Sequence, residues 1–225
     1  MAYINGKDVL FGAQVNGILD GETTENADFG ATMKKWLSLN FGDEEITETY
    51  DLILPDWVND DTFNSCFLPN LHERMFKSNT LTSITMDSMF SGCKKLETVF
   101  LPACKKISAN CFASCSSLTN VTLGVITEIK NTVFRSCTAI KNVTFGQGST
   151  APLLNLYQAT ELTQASVEGI IDAYADMTSA GGAELRFAQN VYDAISEEYK
   201  QKATAKGLTL WQASAIDADA TGADV

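Results

Sequence analysis

The 225-residue chain is 45% hydrophobic with a mean hydropathy near zero, the profile of a globular protein with enough apolar material for a large core. Its formal charge of −12 excludes nucleic acid as the main partner, because phosphate backbones demand clustered Lys and Arg. Apolar runs fall far short of the roughly 18–20 residues of a membrane helix, and the opening MAYINGKDVLF lacks the basic-then-apolar order of a signal peptide, so neither membrane insertion nor a readable export signal is expected.

In chain order, Asn5-Gly6 between two strand-like runs predicts a hairpin. Residues 26–41 predict a helix with Phe29, Met33, Trp36 and Leu37 on one side. Residues 1–49 are thus expected to form an N-terminal hairpin-and-helix cap. Charge is unevenly spread: residues 1–60 carry −9, residues 61–145 carry +4 and residues 146–225 carry −7.

The middle of the chain repeats. FSGCKKLETVFL at 90–101 returns as FASCSSLTNVTL at 112–123 and FRSCTAIKNVTF at 134–145. Phe90, Phe112 and Phe134 are 22 apart, and Cys93/Cys115/Cys137, Leu96/Leu118/Ile140, Val99/Val121/Val143 and Leu101/Leu123/Phe145 follow at matching offsets. Units of this length cannot bury an apolar edge alone and must stack on their neighbours. The V-x-L alternation places one strand per unit, with Val99 and Leu101 inward and Thr98 and Phe100 outward. YDLILP at 50–55 echoes ETVFLP at 97–102, which starts the array near Tyr50. Between these points Phe63 with Cys66, and Phe76 with Leu81, Ile84 and Met86, read as two shortened turns.

At these residues the chain resembles the BspA-type leucine-rich repeat family, whose units read roughly F-x-x-C-x-x-L-x-x-V-x-L-P with a later isoleucine, here Ile107 and Ile129. It departs from the family in the two shortened turns and at Cys111, where a small residue such as Ala is usual. The resemblance implies an α/β leucine-rich-repeat solenoid with 22-residue turns over residues 50–145. It also implies a bacterial or phage-encoded surface or tail-associated protein, set at a cell surface or on a virion.

The repeated cysteine suits a turn that bends inward, where a small side chain with a weak donor fills space and pairs with core-facing backbone groups. Cys93, Cys115 and Cys137 fall at parallel positions about 4.8 Å apart, wider than the 3.5–4.5 Å that disulfide Cβ atoms need. They are therefore expected to be reduced structural thiols forming a ladder with Phe90, Phe112 and Phe134.

Beyond residue 145 the rhythm changes. Val167, Ile170, Ile171, Tyr174 and Met177 follow helical spacing after a Thr163 cap. AELRF reads as a strand and SEEYKQKATAKG as a helix capped by Ser196, with Glu197 and Glu198 in the first turn, Lys206 in the last and Gly207 as terminator. LTLW reads as a last strand. Residues 153–211 resemble a helix-and-strand extension often found after such repeats in bacterial and phage-encoded proteins, recognised by LTQASVEGIIDAYADM and ATAKGLTL. Leu208 stands where that extension commonly has Trp, with Trp211 nearby. The opening residues resemble those of proteins encoded near phage tail genes. Residues 146–212 are accordingly expected to cap the open end of the array, and residues 213–225 to be a disordered acidic tail.

Chemistry finds little support. His72 is the only histidine and lacks a nucleophile-elbow context. No C-x-x-C pair exists, so neither a metal nor a cofactor is expected. Asp217, Asp219, Thr221 and Gly222 match the start of a calcium loop without its position-12 glutamate. FGQGST at 145–150 has two glycines but no Gly-Lys-Ser/Thr, and reads as a connection. NVT at 120 and 142 fits a glycosylation acceptor, but its place inside strands favours strand surface chemistry.

Two surfaces remain as ligand-binding candidates. Outward rows of Ser83, Thr98, Asn120 and Asn142, and of Thr85, Phe100, Thr122 and Thr144, suit sugar hydroxyls or a protein surface. Lys94, Lys95, Lys105 and Lys106 lie on the turns. The expected function is a non-enzymatic binding or adhesion module presenting its repeat sheet to a protein or glycan. The alternative is a structural component of a phage tail or virion, self-assembling through its terminal domains.

Overall fold

The computed structural model describes residues 2–4, 7–9, 50–53, 60 and 73–213. Three sheets organise them. The largest has seven strands, β1 (Ala2–Ile4), β2 (Lys7–Val9), β3 (Tyr50–Ile53), β4 (Glu73–Lys77), β6 (Thr98–Leu101), β8 (Asn120–Leu123) and β10 (Asn142–Thr144), in the order β10-β8-β6-β4-β3-β1-β2. From β10 to β3 every pairing is parallel, while β1 pairs antiparallel with both β2 and β3, Ile4 lying opposite Lys7 where a hairpin is predicted. A second parallel sheet of two-residue strands, β5 (Ser83–Ile84), β7 (Lys106–Ile107) and β9 (Glu128–Ile129), runs beside it. The predicted helix over 26–41, His72 and the acidic tail lie outside the described residues.

Each unit leaves a large-sheet strand, crosses to the small sheet, and returns through the Phe-x-x-Cys turn. The V-x-L alternation buries Val99, Leu101, Val121 and Leu123 and leaves Thr98, Phe100 and Thr122 half-exposed. Pro102 follows β6, and 22 residues on, at the equivalent place in the next unit, the chain runs so close that a Cβ on Gly124 would meet the Pro102 carbonyl oxygen at 2.7 Å. Only glycine fits there. The returning turn passes through left-handed backbone at the residue before each repeat cysteine: Gly92 (φ 78°), Ser114 (φ 61°) and Ser136 (φ 60°).

That turn explains the cysteine. Cys115 Sγ donates to the Phe90 carbonyl at 3.1 Å and Cys137 Sγ to the Phe112 carbonyl at 2.9 Å, each reaching back one unit. Cys93, Cys104, Cys111, Cys115 and Cys137 are free thiols, all buried except the half-exposed Cys93. Burial pushes the Cys104 thiol up to about 12, and burial raises Cys111 too. The neighbouring Cys137 sulfur and then burial raise Cys115. Protonated and enclosed, Cys104, Cys111 and Cys115 pack rather than react, while the bond with Cys115 holds the Cys137 thiol below its usual range. Beside them run the phenylalanines, with ring centroids 5.3 Å (Phe90 and Phe112) and 6.0 Å (Phe112 and Phe134) apart at 11°.

Phe63 and Cys66 lie outside the described residues, but the strand spacing of the early units is not shortened. Phe76 pairs in register with Val99, and Ile84 with Ile107, offsets of 23 residues. Leu52 pairs with Phe76, an offset of 24. Phe76 is thus a strand residue in the place of Val99, not a turn anchor. Its ring still meets Phe90 at 4.4 Å, tilted by 37°, which lets a strand side chain abut the phenylalanine stack.

The edge of the small sheet is closed by a carboxylate. Lys105 N–H bonds the Thr82 carbonyl, and Thr127 N–H the Lys105 carbonyl, each unit holding the next. At Thr82 and Ser83 themselves, the Asp60 side chain accepts where later units use a backbone carbonyl: Oδ1 accepts from Thr82 N (2.7 Å) and Ser83 N (3.1 Å), and Oδ2 from their hydroxyls (2.5 and 3.0 Å). Partial burial works against its ionisation, but the bonds from Thr82 and Ser83 outweigh it and leave the carboxyl below the usual range. A lowered folded pKa gives stability that is full above the unfolded value, about 3.9, and lost as pH falls through the folded one. Asp60→Asn should therefore cost about 1 kcal/mol at pH 7, a hydrogen-bond loss discounted for an open site. The gap between variant and parent, read from urea midpoints, should close below about pH 4; a pH-independent gap would contradict the assignment.

The 22-residue spacing outlasts the Phe-x-x-Cys phrase. Lys141 N bonds the Thr119 carbonyl and Thr163 N the Lys141 carbonyl, while Gln158 Oε1 takes the Ser136 N–H at 2.5 Å. Within FGQGST, Ser149 is buried, donating to the Gly146 carbonyl (2.8 Å) and accepting from Ile126 N (3.1 Å). The helix α1 (Gln164–Ala173) follows, its Thr163 cap accepting from Ser166 N at 3.2 Å. Where β10 has no further strand beside it, Ser166 Oγ accepts from Val143 N (2.5 Å) and donates to its carbonyl (3.0 Å).

The third sheet is parallel, β11 (Leu153–Leu156), β12 (Ala183–Ala188) and β13 (Leu208–Ala213), with α2 (Gln189–Asp193) and α3 (Glu197–Ala205) between the last two. Ser196 caps α3 and Gly207 ends it at φ 71°. α1 stops at Ala173, earlier than its apolar spacing predicts. Tyr174 is extended, and Tyr174 and Met177 are buried without being helical. Lys206 Nζ donates to the carbonyls of Ile171 (2.9 Å), Asp172 (2.9 Å) and Tyr174 (2.5 Å), and Gly148 N takes that of Ala173 (2.8 Å), so distant groups satisfy the last turn.

Candidate functional site

The outward face of β4, β6, β8 and β10 is where the repeat lays side chains in rows. Register puts Met75, Thr98, Asn120 and Asn142 in one row, and Lys77, Phe100, Thr122 and Thr144 in the next. Ser83 and Thr85, expected in these rows, are not there. Ser83 lies in β5 of the small sheet opposite Lys106, and Thr85 follows that strand. The error follows from reading Phe76 as a turn anchor, which slides the whole unit by most of a strand-to-strand crossing. The signal that locates it is the isoleucine: Ile107 and Ile129 precede their phenylalanines by five residues and Ile84 precedes Phe90 by six.

The rows differ in chemistry. Asn142 Nδ2 donates to Asn120 Oδ1 at 2.9 Å, Asn120 Nδ2 to Thr119 Oγ1 at 2.9 Å, and Thr119 Oγ1 to the Glu97 carbonyl at 3.0 Å. This chain of amides fixes which atoms face outward. Asn142 keeps its carbonyl oxygen as an acceptor. In the second row the Lys77 ammonium stands 5.2 Å from the centre of the Phe100 ring, so that ring already engages a cation.

The lysines are less of a cluster than the sequence suggests. Lys94 and Lys95 are exposed in the turn before β6, whereas Lys105 immediately precedes β7 and Lys106 lies in it. Lys106 is a strand residue, not a turn residue, and it faces Glu128 at 3.8 Å, which Lys130 also meets at 3.2 Å. These exposed pairs neutralise charge and add little stability. Among the described residues no group of three His, Cys, Asp or Glu could hold a metal, and no helix is long and apolar enough to cross a membrane.

The parallel units, the Phe and Cys columns and the paired isoleucines agree with a family model described as BspA type Leucine rich repeat region, which matches six copies over residues 57–174. The chain belongs to this family. No curated protein and no solved structure matches it. The BspA-type match spans just over half the chain and runs past the last Phe-x-x-Cys phrase, over the stretch where the hydrogen-bond spacing persists. Leucine-rich repeats generally mediate protein binding and are typically non-enzymatic.

Proposed function

We propose that this chain is a non-enzymatic binding module, its units coiled as a solenoid between terminal caps, that presents the β6-β8-β10 face to a protein or glycan ligand at a cell surface or on a virion. The observation that carries the reading is the pair of rows, Thr98, Asn120 and Asn142 beside Phe100, Thr122 and Thr144, because uncharged donors and acceptors repeated on a rigid sheet match repeated hydroxyls or amides. The Asn120–Asn142 bond supports it further by pre-orienting the amides.

The test is binding of the full chain to an array of neutral and anionic glycans. Phe100→Ala with Asn120→Ala should lower binding at least tenfold at any ionic strength. If instead Lys94→Ala with Lys105→Ala weakens it, and only at low salt, the ligand is an anionic polymer on the turns. Binding unchanged in both double variants would sink the repeat as the site.

A second reading, a structural component of a phage tail or virion that assembles through its ends, is favoured by Trp211. Its side chain is 51% exposed on β13, the edge strand of the third sheet. Concentration-dependent self-association, lost in Trp211→Ser, would support it.

A further inference from the structure

A groove of about 450 Å³ runs between β10 and α1, bounded by Asn142, Thr144, Gln147, Thr163, Gly169 and Asp172. We propose that it is a binding site for a neutral saccharide unit, an inference that rests on the binding-module reading and gives its sheet face a terminus where a chain end is held.

The glycine is the first observation. Gly169 lies in the interior of α1, where glycine weakens a helix relative to alanine, yet a Cβ built there would meet nothing within 4 Å. Neither crowding nor backbone conformation requires it. What its missing side chain does is leave the groove wall flat and open.

The lining chemistry is the second. The Asn142 carbonyl oxygen, the Thr144 hydroxyl and the Gln147 amide have no partner among the described residues, so they offer donors and acceptors to an occupant. Among the described residues the one charged side chain on the wall is Asp172, already held by Lys202 at 2.5 Å and by the Tyr199 hydroxyl at 3.4 Å. With the Asp172 charge paired to Lys202 and no lysine or arginine on the wall among the described residues, nothing there draws an anion out of water, which leaves neutral hydroxyl-rich ligands. An extended peptide is the less suited occupant: strand addition needs an open edge, and the Ser166 hydroxyl takes both the N–H and the carbonyl of Val143. The volume lies at the lower end of small-molecule sites, about 300–1,000 Å³, which suits one or two sugar rings.

The experiment is NMR titration of the full chain with maltose, lactose, cellobiose and N,N'-diacetylchitobiose, with glucuronic acid and N-acetylneuraminic acid as anionic controls. At least one neutral disaccharide should shift the Gly169 backbone amide and the Asn142 and Gln147 side-chain amides, with the acids at least tenfold weaker. Gly169→Ala should keep binding, while Gly169→Leu, which fills the groove, should weaken it at least tenfold. Both should raise the melting temperature by about 2–4 °C, so lost binding cannot be ascribed to unfolding. The inference is overturned if none of the four shifts these resonances, or if Gly169→Leu binds like the parent. Array binding that survives Gly169→Leu but fails in Phe100→Ala with Asn120→Ala overturns the groove and leaves the sheet face standing. Groove shifts that persist alongside array binding indifferent to that double variant support the groove and overturn the face.

Discussion

Deleting residues 112–133 should leave a protein that unfolds in a single cooperative transition, whereas deleting residues 112–122 should abolish that transition. The longer deletion removes one whole unit, including β8 and β9. Because Asn120 pairs with Asn142 and Thr98 with Asn120, each across 22 residues, β10 then meets β6 with Thr98 opposite Asn142 and Val99 opposite Val143. Every inward residue still faces the core, and Phe134 comes to rest against Phe90. The shorter deletion removes an odd number of residues. A strand whose side chains alternate by two is turned over by an odd shift, so buried valines would face water and exposed asparagines the core. Burying unpaired amides while exposing Val and Leu costs several kcal/mol at each position, beyond what a domain stable by about 5–15 kcal/mol tolerates. Urea titration followed by circular dichroism and by tryptophan fluorescence decides it. Coincident transitions in the longer deletion and none in the shorter are expected; equal loss in both would count against stacking by repeat register.

What the sequence makes legible is whatever rests on local or periodic constraint. The 22-residue period, the inward V-x-L, and the helix limits marked by Thr163, Ser196 and Gly207 each depend on residues within one unit or one turn, and each is found in the structure. What fails depends on residues far apart. α1 ends early because Lys206, more than thirty positions on, takes its carbonyls. β11 carries no repeat phrase and is a strand because β12 lies beside it. α2 has no side-chain cap to announce it. Phe76 misleads for a subtler reason, since it does join the phenylalanine stack, but from a strand. For the candidate site, Thr98, Phe100, Asn120, Thr122, Asn142 and Thr144 are placed by the period, whereas Met75 and Lys77 enter only once β4 is set in register. The groove beside α1 leaves one trace in the sequence, a glycine in a helix that has no steric need of it.

Phe112→Ala should be the most damaging single substitution in the repeats, at about 3–5 kcal/mol, the range for truncating a buried aromatic ring. The ring is fully buried and sits between Phe90 and Phe134, so its removal opens a cavity with a large ring on each side. Relaxation is limited because the backbone at Phe112 is tied twice to the turn that carries Phe134: its N–H bonds the Val133 carbonyl at 3.0 Å and its carbonyl accepts from Cys137 Sγ at 2.9 Å. Collapse into the cavity would have to break one of these. Phe112→Leu keeps most of the volume and should cost about 1–2 kcal/mol. Truncating Phe90 as well should cost less than the sum of the two single variants, with a coupling of about 0.5–1.5 kcal/mol, because the stacked pair is lost only once. Urea midpoints at constant slope measure the four variants against the parent. A loss below about 1 kcal/mol for Phe112→Ala, or strict additivity with Phe90→Ala, would mean that the rings are neighbours by repeat geometry alone and that the sulfur column and the sheets carry the stability.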